Sequence, residues 1–419
     1  MSYRFEKGRE VSIIIPTYNR RELLVFTLFS LFRQNISPSR YEVIVVDGGS
    51  TDDTARFLST IKTPYRLKVV KYQPNLGAAY SRNRGVEVSS GEIIFFMDEM
   101  IVDERYVSDH LSHHSRDDRV ITSGLNGKVI ITHYYSQFSR KKKKECFHIS
   151  QHLDAGWYFA NKPGVFKLFR AGQVIDHSIL NFGKVNRDVS ELYKKLKLMH
   201  GPLLENSPHP WVFSITNSLS MSRCLFKKAG MFDEHFRSAW LEDFELGYRL
   251  FMSGATFRNG EEINCFHQEH PRSQDSRHQL NNYIYFARKF PQVDVLLCGL
   301  FCKQMQRLSF YQWDKCVSQY KRLLNYGNGT YAALLKAFHD LTLTIPRFAW
   351  ELTQGNRLSF LDDAHQGFSR WDLSVKRIVE KQLKMLSGDA NLSGTYNDFI
   401  RTFKMLLQLP ILERDAWNE

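Results

Sequence analysis

At 419 residues the chain is longer than one hydrophobic core usually serves, so two or three domains, or one large α/β domain with an appendage, are expected. Hydrophobic residues make up 43% and charged residues 24%, which excludes wholesale disorder and collagen-like repeats. The balance is basic, 57 Lys+Arg against 44 Asp+Glu for a net charge of +13, and it suits an anionic partner: a nucleotide, a phosphorylated headgroup, a membrane surface or nucleic acid.

The first hundred residues alternate between two periods. Residues 11–15 (VSIII) are a strongly β-branched run stopped by Pro16, the pattern of a buried strand. Residues 20–32 carry apolar side chains at helical spacing. A second strand over 42–46 stops at Asp47-Gly48-Gly49-Ser50, and a helix over 51–60 follows with Ser50 or Thr51 as its cap. A third strand (67–70), a helix (77–88) after the Pro74-Asn75 turn, and a fourth strand (93–97) ending at Asp98-Glu99 complete the series. Strands that are mostly apolar rather than alternating, interleaved with helices, predict an α/β fold with a parallel sheet covered on both faces. Ligands bind such sheets at the carboxyl ends of the strands. That rule selects Pro16 to Tyr18, Asp47 to Ser50, Asn75, Asp98 and Glu99.

Residues 130–210 are less regular and contain the basic run 140–144 (RKKKK), which reads as a solvated loop or as a docking site for an anionic acceptor. The histidines of 109–114 read as helix surface, with no metal-triad spacing. A strand is predicted over 212–215, then helices over 223–229, ended by Gly230, and 241–252, ended by Gly254. Beyond 290 the apolar spacing is helical through 307–324, 331–343 and 373–386, as a separate module or a long wrap. The six cysteines form no Cys-x-x-Cys pair, as expected of reduced, mostly buried thiols in a cytosolic protein. No apolar run approaches the ~18 residues of a membrane helix, and MSYRFEKGRE lacks the apolar stretch of a signal peptide.

Six segments carry more together than singly: VSIIIPTYNR, VIVVDGGSTDDT, NLGAAYSRNRG, IIFFMDEM, WLEDFELGYRL and CFHQEH, in that order. In this order the chain resembles the family-2 glycosyltransferases of the GT-A fold over residues 10–270. The stretch from NSLSMSRCLFKKAGMFDEHF to WLEDFELGYRL resembles the galactosyltransferase-like half of that family. The resemblance implies a Rossmann-like, mostly parallel sheet covered by helices in a catalytic domain over 1–289. Its donor half would span about 1–125 and its acceptor half about 126–289, with a helical region over 290–419.

Each segment also has a reading from chemistry. A carboxylate at Asp47, ahead of two glycines, can accept from a base N–H while the backbone approaches a ligand; it can equally cap the following turn. The resemblance implies uracil recognition there, with Pro16 and Tyr18 lining the base pocket, Thr17 contributing backbone, and Asn75 and Arg82 facing the nucleotide. Asp98-Glu99-Met100 stands where the family carries Asp-x-Asp, which implies a Mn2+ or Mg2+ ion on the donor diphosphate. Met100 replaces the second Asp, and a thioether is a poor ligand for these hard cations. Glu99 is the expected substitute, and His267 completes the implied metal site, with His270 as its competitor. Glu242-Asp243 opens a helix; the resemblance makes Asp243 the general base and Glu242 a residue that positions the acceptor or orients the base. A helix N-terminus is expected to keep Asp243 ionised.

The expectation is an inverting hexosyl- or N-acetylhexosaminyltransferase acting from a nucleotide-sugar, with UDP as carrier, on a hydroxyl acceptor. That acceptor is a glycan, a glycolipid or another lipid-linked precursor of a cell-surface polymer. The protein is expected to be cytoplasmic, peripheral at the inner membrane face through its basic residues, with oligomer contacts on its C-terminal helices. Two other readings stay open. Met100 suggests a catalytically inactive GT-A scaffold serving as a binding module, and the charge alone suggests a nucleic-acid-binding protein, without any recognition motif to support it.

Overall fold

The apolar run at the start of the chain forms β1 (Val11–Thr17), and the later runs form β2 (Tyr41–Asp47), β3 (Arg66–Lys71) and β4 (Ile93–Met97). Further strands are β5 (Met100–Val102), β6 (Val120–Ser123), β7 (Lys128–Ile130), β8 (His133–Tyr135), β9 (Val165–Lys167), β10 (Lys184–Val185), β11 (Ser218–Ser222), β12 (Thr256–Asn259) and β13 (Cys265–Gln268). The computed structural model describes residues 10–114, 117–124, 127–153, 163–271, 277–302, 304–326, 329–356 and 368–410. The predicted leaderless N-terminus falls at residues 1–9, outside the described residues.

Seven strands form the main sheet in the order β12-β6-β11-β4-β1-β2-β3. β4, β1, β2 and β3 run parallel, as do β6 and β12, while β11 runs antiparallel to β4 and β6. The four-stranded sheet β10-β7-β13-β5 and the β8-β9 pair stand beside it. Helices α1 (Arg21–Ser30), α2 (Thr54–Thr60) and α3 (Ala78–Glu87) make the crossovers, the arrangement that parallel strands require. The core is apolar on both faces of β1, β2 and β4: Val11, Ile13, Ile15, Val43, Val45, Phe95 and Met97 are buried on one face, and Ile14, Ile44, Val46, Ile94 and Phe96 on the other.

The edge opposite the strand ends is closed by Glu42. Its Oε1 accepts from Ser12 Oγ (2.8 Å), Ser90 N (2.7 Å) and Ser90 Oγ (2.7 Å), and Lys68 Nζ lies 3.1 Å from Oε2. Burial alone would raise this carboxyl, but the hydrogen bonds from Ser90 and Ser12 and the neighbouring Lys68 bring it down to about 2.

Four local expectations change. α2 begins at Thr54 behind Asp53, not at Thr51, because Ser50 and Thr51 are taken up by Asn19 in the neighbouring loop. The predicted strand at 212–215 is a single tight turn, Pro210–Phe213; the strand follows as β11. All of Trp211, Val212 and Phe213 are buried, and Trp211 stacks edge-on to Tyr248 at 5.2 Å, so a turn with every side chain inside gives the same apolar run as a strand. The basic run is no loop: it opens α5 (Arg140–His152), whose N-cap Ser139 accepts from Lys142 N. The histidines of α4 (Tyr106–His113) are not surface. His110 and the following His114 are buried, and both bond the serines of β11.

The remaining helices of this part are α6 (Ala171–Ile175), α7 (Arg187–His200), α8 (Arg223–Lys228) and α9 (Glu242–Met252). The chain divides into two units, Met1–Ser273 and Gln274–Glu419. The division falls ahead of the helix Arg277–Lys289, whereas the sequence places it after residue 289. The second unit is helical, as predicted, through Phe310–Leu324, Ala332–Thr342, Thr344–Thr353, Leu373–Gly388 and Asn397–Leu406. Phe338, Phe399 and Phe403 form its aromatic centre, with Phe338 and Phe399 at 4.6 Å. The six cysteines are free thiols, Cys224 exposed and the others buried. Among the described residues no helix is long and apolar enough to cross a membrane.

Candidate active site

Parallel pairing puts Thr17 beside Asp47 at the carboxyl ends of β1 and β2. Asp47 is buried, and its Oδ1 accepts from Ser50 N at 2.9 Å, so it does close its own turn. Gly48 N donates to Thr17 O (3.0 Å), which stitches the two strand ends together. A Cβ on Gly48 would lie 3.2 Å from Tyr72 Oη and 3.3 Å from Asn75 Oδ1, so the turn admits no larger residue without displacement. Thr17 Oγ1 is buried and has no hydrogen-bond partner among the described residues, an uncommon state for a native hydroxyl and a natural contact for a ligand. Around this floor stand Pro16, half-buried, Tyr18, 44% exposed, and Asn75, exposed, whose Oδ1 accepts from Gly77 N at 2.9 Å. Gly77 has φ +95°, and a Cβ there would fall 2.4 Å from the Arg237 carbonyl oxygen; only glycine fits.

The acidic pair lies at the end of β4. Met100 N donates to Asp98 O at 2.8 Å, and the chain turns straight into β5. Met100 itself points into the apolar core at 1% exposure, beside Val102, Tyr106 and Val107. It is therefore excluded as a metal ligand by placement as well as by chemistry. β5 pairs with β13 so that Met100 faces His267 across the ladder, and Gln268 N donates to Glu99 O at 3.3 Å. This register sets His267 opposite Met100, two residues past Asp98, across a long sequence separation. The His267 and His270 rings lie 5.5 Å apart, and Arg20 donates to His270 Nδ1 at 2.9 Å. Burial first, then the charge of Asp98, raise the Glu99 carboxyl, while Arg20 opposes them. Two carboxylates and an imidazole make an oxygen–nitrogen donor set of the kind Mn2+ accepts, and the repulsion that raises Glu99 is one a cation would relieve. The donor types suit such an ion, although the three side chains do not bring their ligand atoms within 4.8 Å of one another as they stand.

Arg82 joins the two halves of the site. It is buried, with Nη2 donating to Asp98 Oδ1 and Nη1 to Glu242 Oε1, both at 2.9 Å, and its guanidinium lies 5.5 Å from the centre of the Phe232 ring. Burial works against its charge, but Asp98 and Glu242 outweigh burial and raise it further. The residue assigned from sequence to the nucleotide thus spends both terminal nitrogens on carboxylates. Glu242 Oε2 is buried without a partner among the described residues. α9 starts after Trp240 (φ +96°) and Leu241 (φ +72°), two successive left-handed residues that are not glycine, so the turn presenting Glu242 and Asp243 is strained.

Asp243 reverses its expectation. Burial and then the adjacent Glu242 push its carboxyl up to about 8, against Arg82 and the backbone N–H groups of Phe244 and Thr216. The helix N-terminus does not hold it ionised near neutral pH, because the dipole counts for less than the loss of water and a like charge one residue away.

A family model described as "Glycosyl transferase family 2" matches residues 12–171. An uncharacterized glycosyltransferase, YfnE of Bacillus subtilis, is 30% identical over 290 residues, covering 68% of this chain and 72% of its own. The chain belongs to glycosyltransferase family 2. Validoxylamine A glucosyltransferase of Streptomyces hygroscopicus subsp. limoneus is 28% identical over 315 residues, 72% of this chain and 63% of that protein. Chondroitin synthase of Escherichia coli is 30% identical over 273 residues, 63% of this chain but only 35% of that enzyme.

This family 2 glycosyltransferase has the GT-A α/β arrangement, with the strand-end residues named from its sequence at one end of the main sheet. Asp98, Arg82 and Glu242 are brought into direct contact, and His267 into register with Met100, two residues past Asp98. Sequence reasoning missed Asn19, whose Oδ1 accepts from Thr51 N (2.7 Å) and Asp52 N (3.3 Å) and so fixes the loop beside Asp47. Its place in PTYNR was the available signal. Arg20, next to it, was missed as a partner of His270.

Proposed function

We propose that this enzyme is an inverting glycosyltransferase that moves a sugar from a UDP-sugar to a hydroxyl of a glycan or lipid-linked acceptor. The observation that carries the reading is Arg82, which holds Asp98 on the donor side and Glu242 on the acceptor side at 2.9 Å each. One cation thereby sets the spacing between the two reacting partners. Asp47, with Oδ1 committed to Ser50 N, offers its other oxygen to the uracil N–H, and Thr17 Oγ1 lies on the same floor. Asp98, Glu99 and His267 would hold Mn2+ or Mg2+. When bound, the ion neutralises the diphosphate as it leaves.

The unpaired Glu242 Oε2 accepts from a neighbouring hydroxyl of the acceptor and so orients the attacking one. Asp243 takes the proton of the attacking hydroxyl as its oxygen attacks the anomeric carbon; the bond to the diphosphate oxygen breaks with its electron pair, and the configuration inverts. A carboxyl poised at about 8 is a stronger base than an ordinary one once ionised. Hyaluronan and chondroitin synthases and a poly(ribitol-phosphate) β-N-acetylglucosaminyltransferase are among the related proteins, which supports a polymeric glycan or a phosphate-bearing acceptor.

The test is slow hydrolysis of UDP-, GDP- and TDP-sugars without acceptor, before and after chelation. UDP-sugars are expected to be consumed and chelation to stop it, with Mn2+ or Mg2+ restoring it. Preference for a GDP-sugar would move the base assignment away from Asp47, and full activity after exhaustive chelation would remove the metal from the account.

A further inference from the structure

We propose that the helix Leu373–Gly388 is an interfacial anchor whose outward face lies on anionic phospholipid. Val379, Leu383 and Leu386 on its inward face are buried. On the other side Leu373, Arg377, Lys381 and Met385 follow one another every fourth residue and form one unbroken row. Ile378 and Lys384 flank it, each three residues from Lys381. All six side chains are exposed, Leu373 at 71%, Ile378 at 49% and Met385 at 47%.

Single exposed apolar residues are ordinary, but three of them interleaved with three cations are not the solvent face of a typical helix. Apolar side chains that enter the acyl boundary, with cations at headgroup height, are the marks of a helix lying in a membrane surface. The single acid of the helix, Glu380, only borders the row. Charge decides between lipid and a second copy of the chain. A two-fold pairing of this face would bring the same three cations together, whereas anionic headgroups compensate each of them. The whole-chain charge of +13 acts in the same direction. The helices lack a membrane span among the described residues, so contact of this kind is interfacial.

This helix belongs to the second unit, and the proposal does not depend on the proposed transfer site of the first. Each cation strengthens attachment to an anionic surface about fivefold, and salt screens the effect. The test is co-sedimentation of the full chain with phosphatidylcholine vesicles, with and without phosphatidylglycerol. Binding is expected only with phosphatidylglycerol and should fall as salt rises. Lys381→Glu with Lys384→Glu, and separately Ile378→Asp with Met385→Asp, should each weaken it by more than about tenfold, with donor hydrolysis and helical circular dichroism unchanged. Lys141→Glu with Lys144→Glu on α5 serves as the basic control. The proposal is overturned if the wild-type chain stays in the supernatant, if only the α5 variant loses binding, or if the helix variants instead abolish a concentration-dependent dimer.

Discussion

Arg82 ties together two carboxylates of the site that are far apart in sequence. Its Nη1 and Nη2 reach two carboxylates that lie 16 and 160 residues away, and a lysine, with one point of charge, cannot serve both. Arg82→Met strands the buried Glu242, and breaking a buried pair of this kind costs about 3–5 kcal/mol. Urea unfolding should show that loss; a change under about 1 kcal/mol would mean that the pair is loosely held. At Asp47 the turn and the ligand can be separated. Asp47→Asn keeps an oxygen for Ser50 N but loses the charge, while Asp47→Ala loses both. UDP affinity by calorimetry should drop by about 1.5–3 kcal/mol in the alanine variant, and unchanged affinity would take Asp47 out of the pocket. The positions of Asp47 and Asp98 were legible because each ends an apolar run. The state of Asp243 was not: a helix start can be read from sequence, but the burial and the neighbouring charge that raise its carboxyl to about 8 cannot.

Among the elements, β11 and α4 show how a buried polar layer supports the site. Ser218 of β11 pairs with Met97, the residue before Asp98. His110 bonds Ser220 Oγ (2.8 Å) and Ser218 Oγ (3.0 Å), His114 Nε2 bonds Ser220 Oγ (2.7 Å), and Tyr106 Oη lies 3.2 Å from Ser218 Oγ. Burial holds His110 well below its ordinary value, and burial with His113 and Arg258 brings His114 down to about 4. The unfolded chain therefore takes up protons below about pH 6.5 that the folded chain refuses until about pH 4. Stability is fully present above that range and falls as pH drops, by up to about 1.4 kcal/mol per pH unit for each histidine. Melting temperature across this range should show the slope, and His114→Gln should reduce it, leaving the part that His110 contributes. A slope unaltered by that variant would assign the acid loss elsewhere. The sequence showed a helix with several histidines and could not show which faced the sheet. The β5–β13 ladder was equally hidden, since three-residue strands leave no period to read.

For the molecule as a whole, every candidate residue lies in Met1–Ser273, and Gln274–Glu419 supplies helices without any of them. The parallel order of β1 to β4 followed from apolar strands alternating with helices; the antiparallel β11 did not, because its serines break the apolar pattern. A chain ending at Ser273 should keep UDP affinity within about tenfold of the full chain, and loss of UDP binding in a folded fragment would contradict the assignment of the donor site to this unit. The central claim is an inverting displacement with Asp243 as base. It is tested most directly by determining the anomeric configuration of the product by NMR for the wild-type enzyme and for Asp243→Asn, each with turnover measured across pH. The account predicts inversion, a wild-type kcat/KM that rises with pH to about 8 and then levels, and an Asp243→Asn enzyme about 10²–10⁴-fold slower, without that rise. Retained configuration, or near-normal turnover in Asp243→Asn, would contradict it.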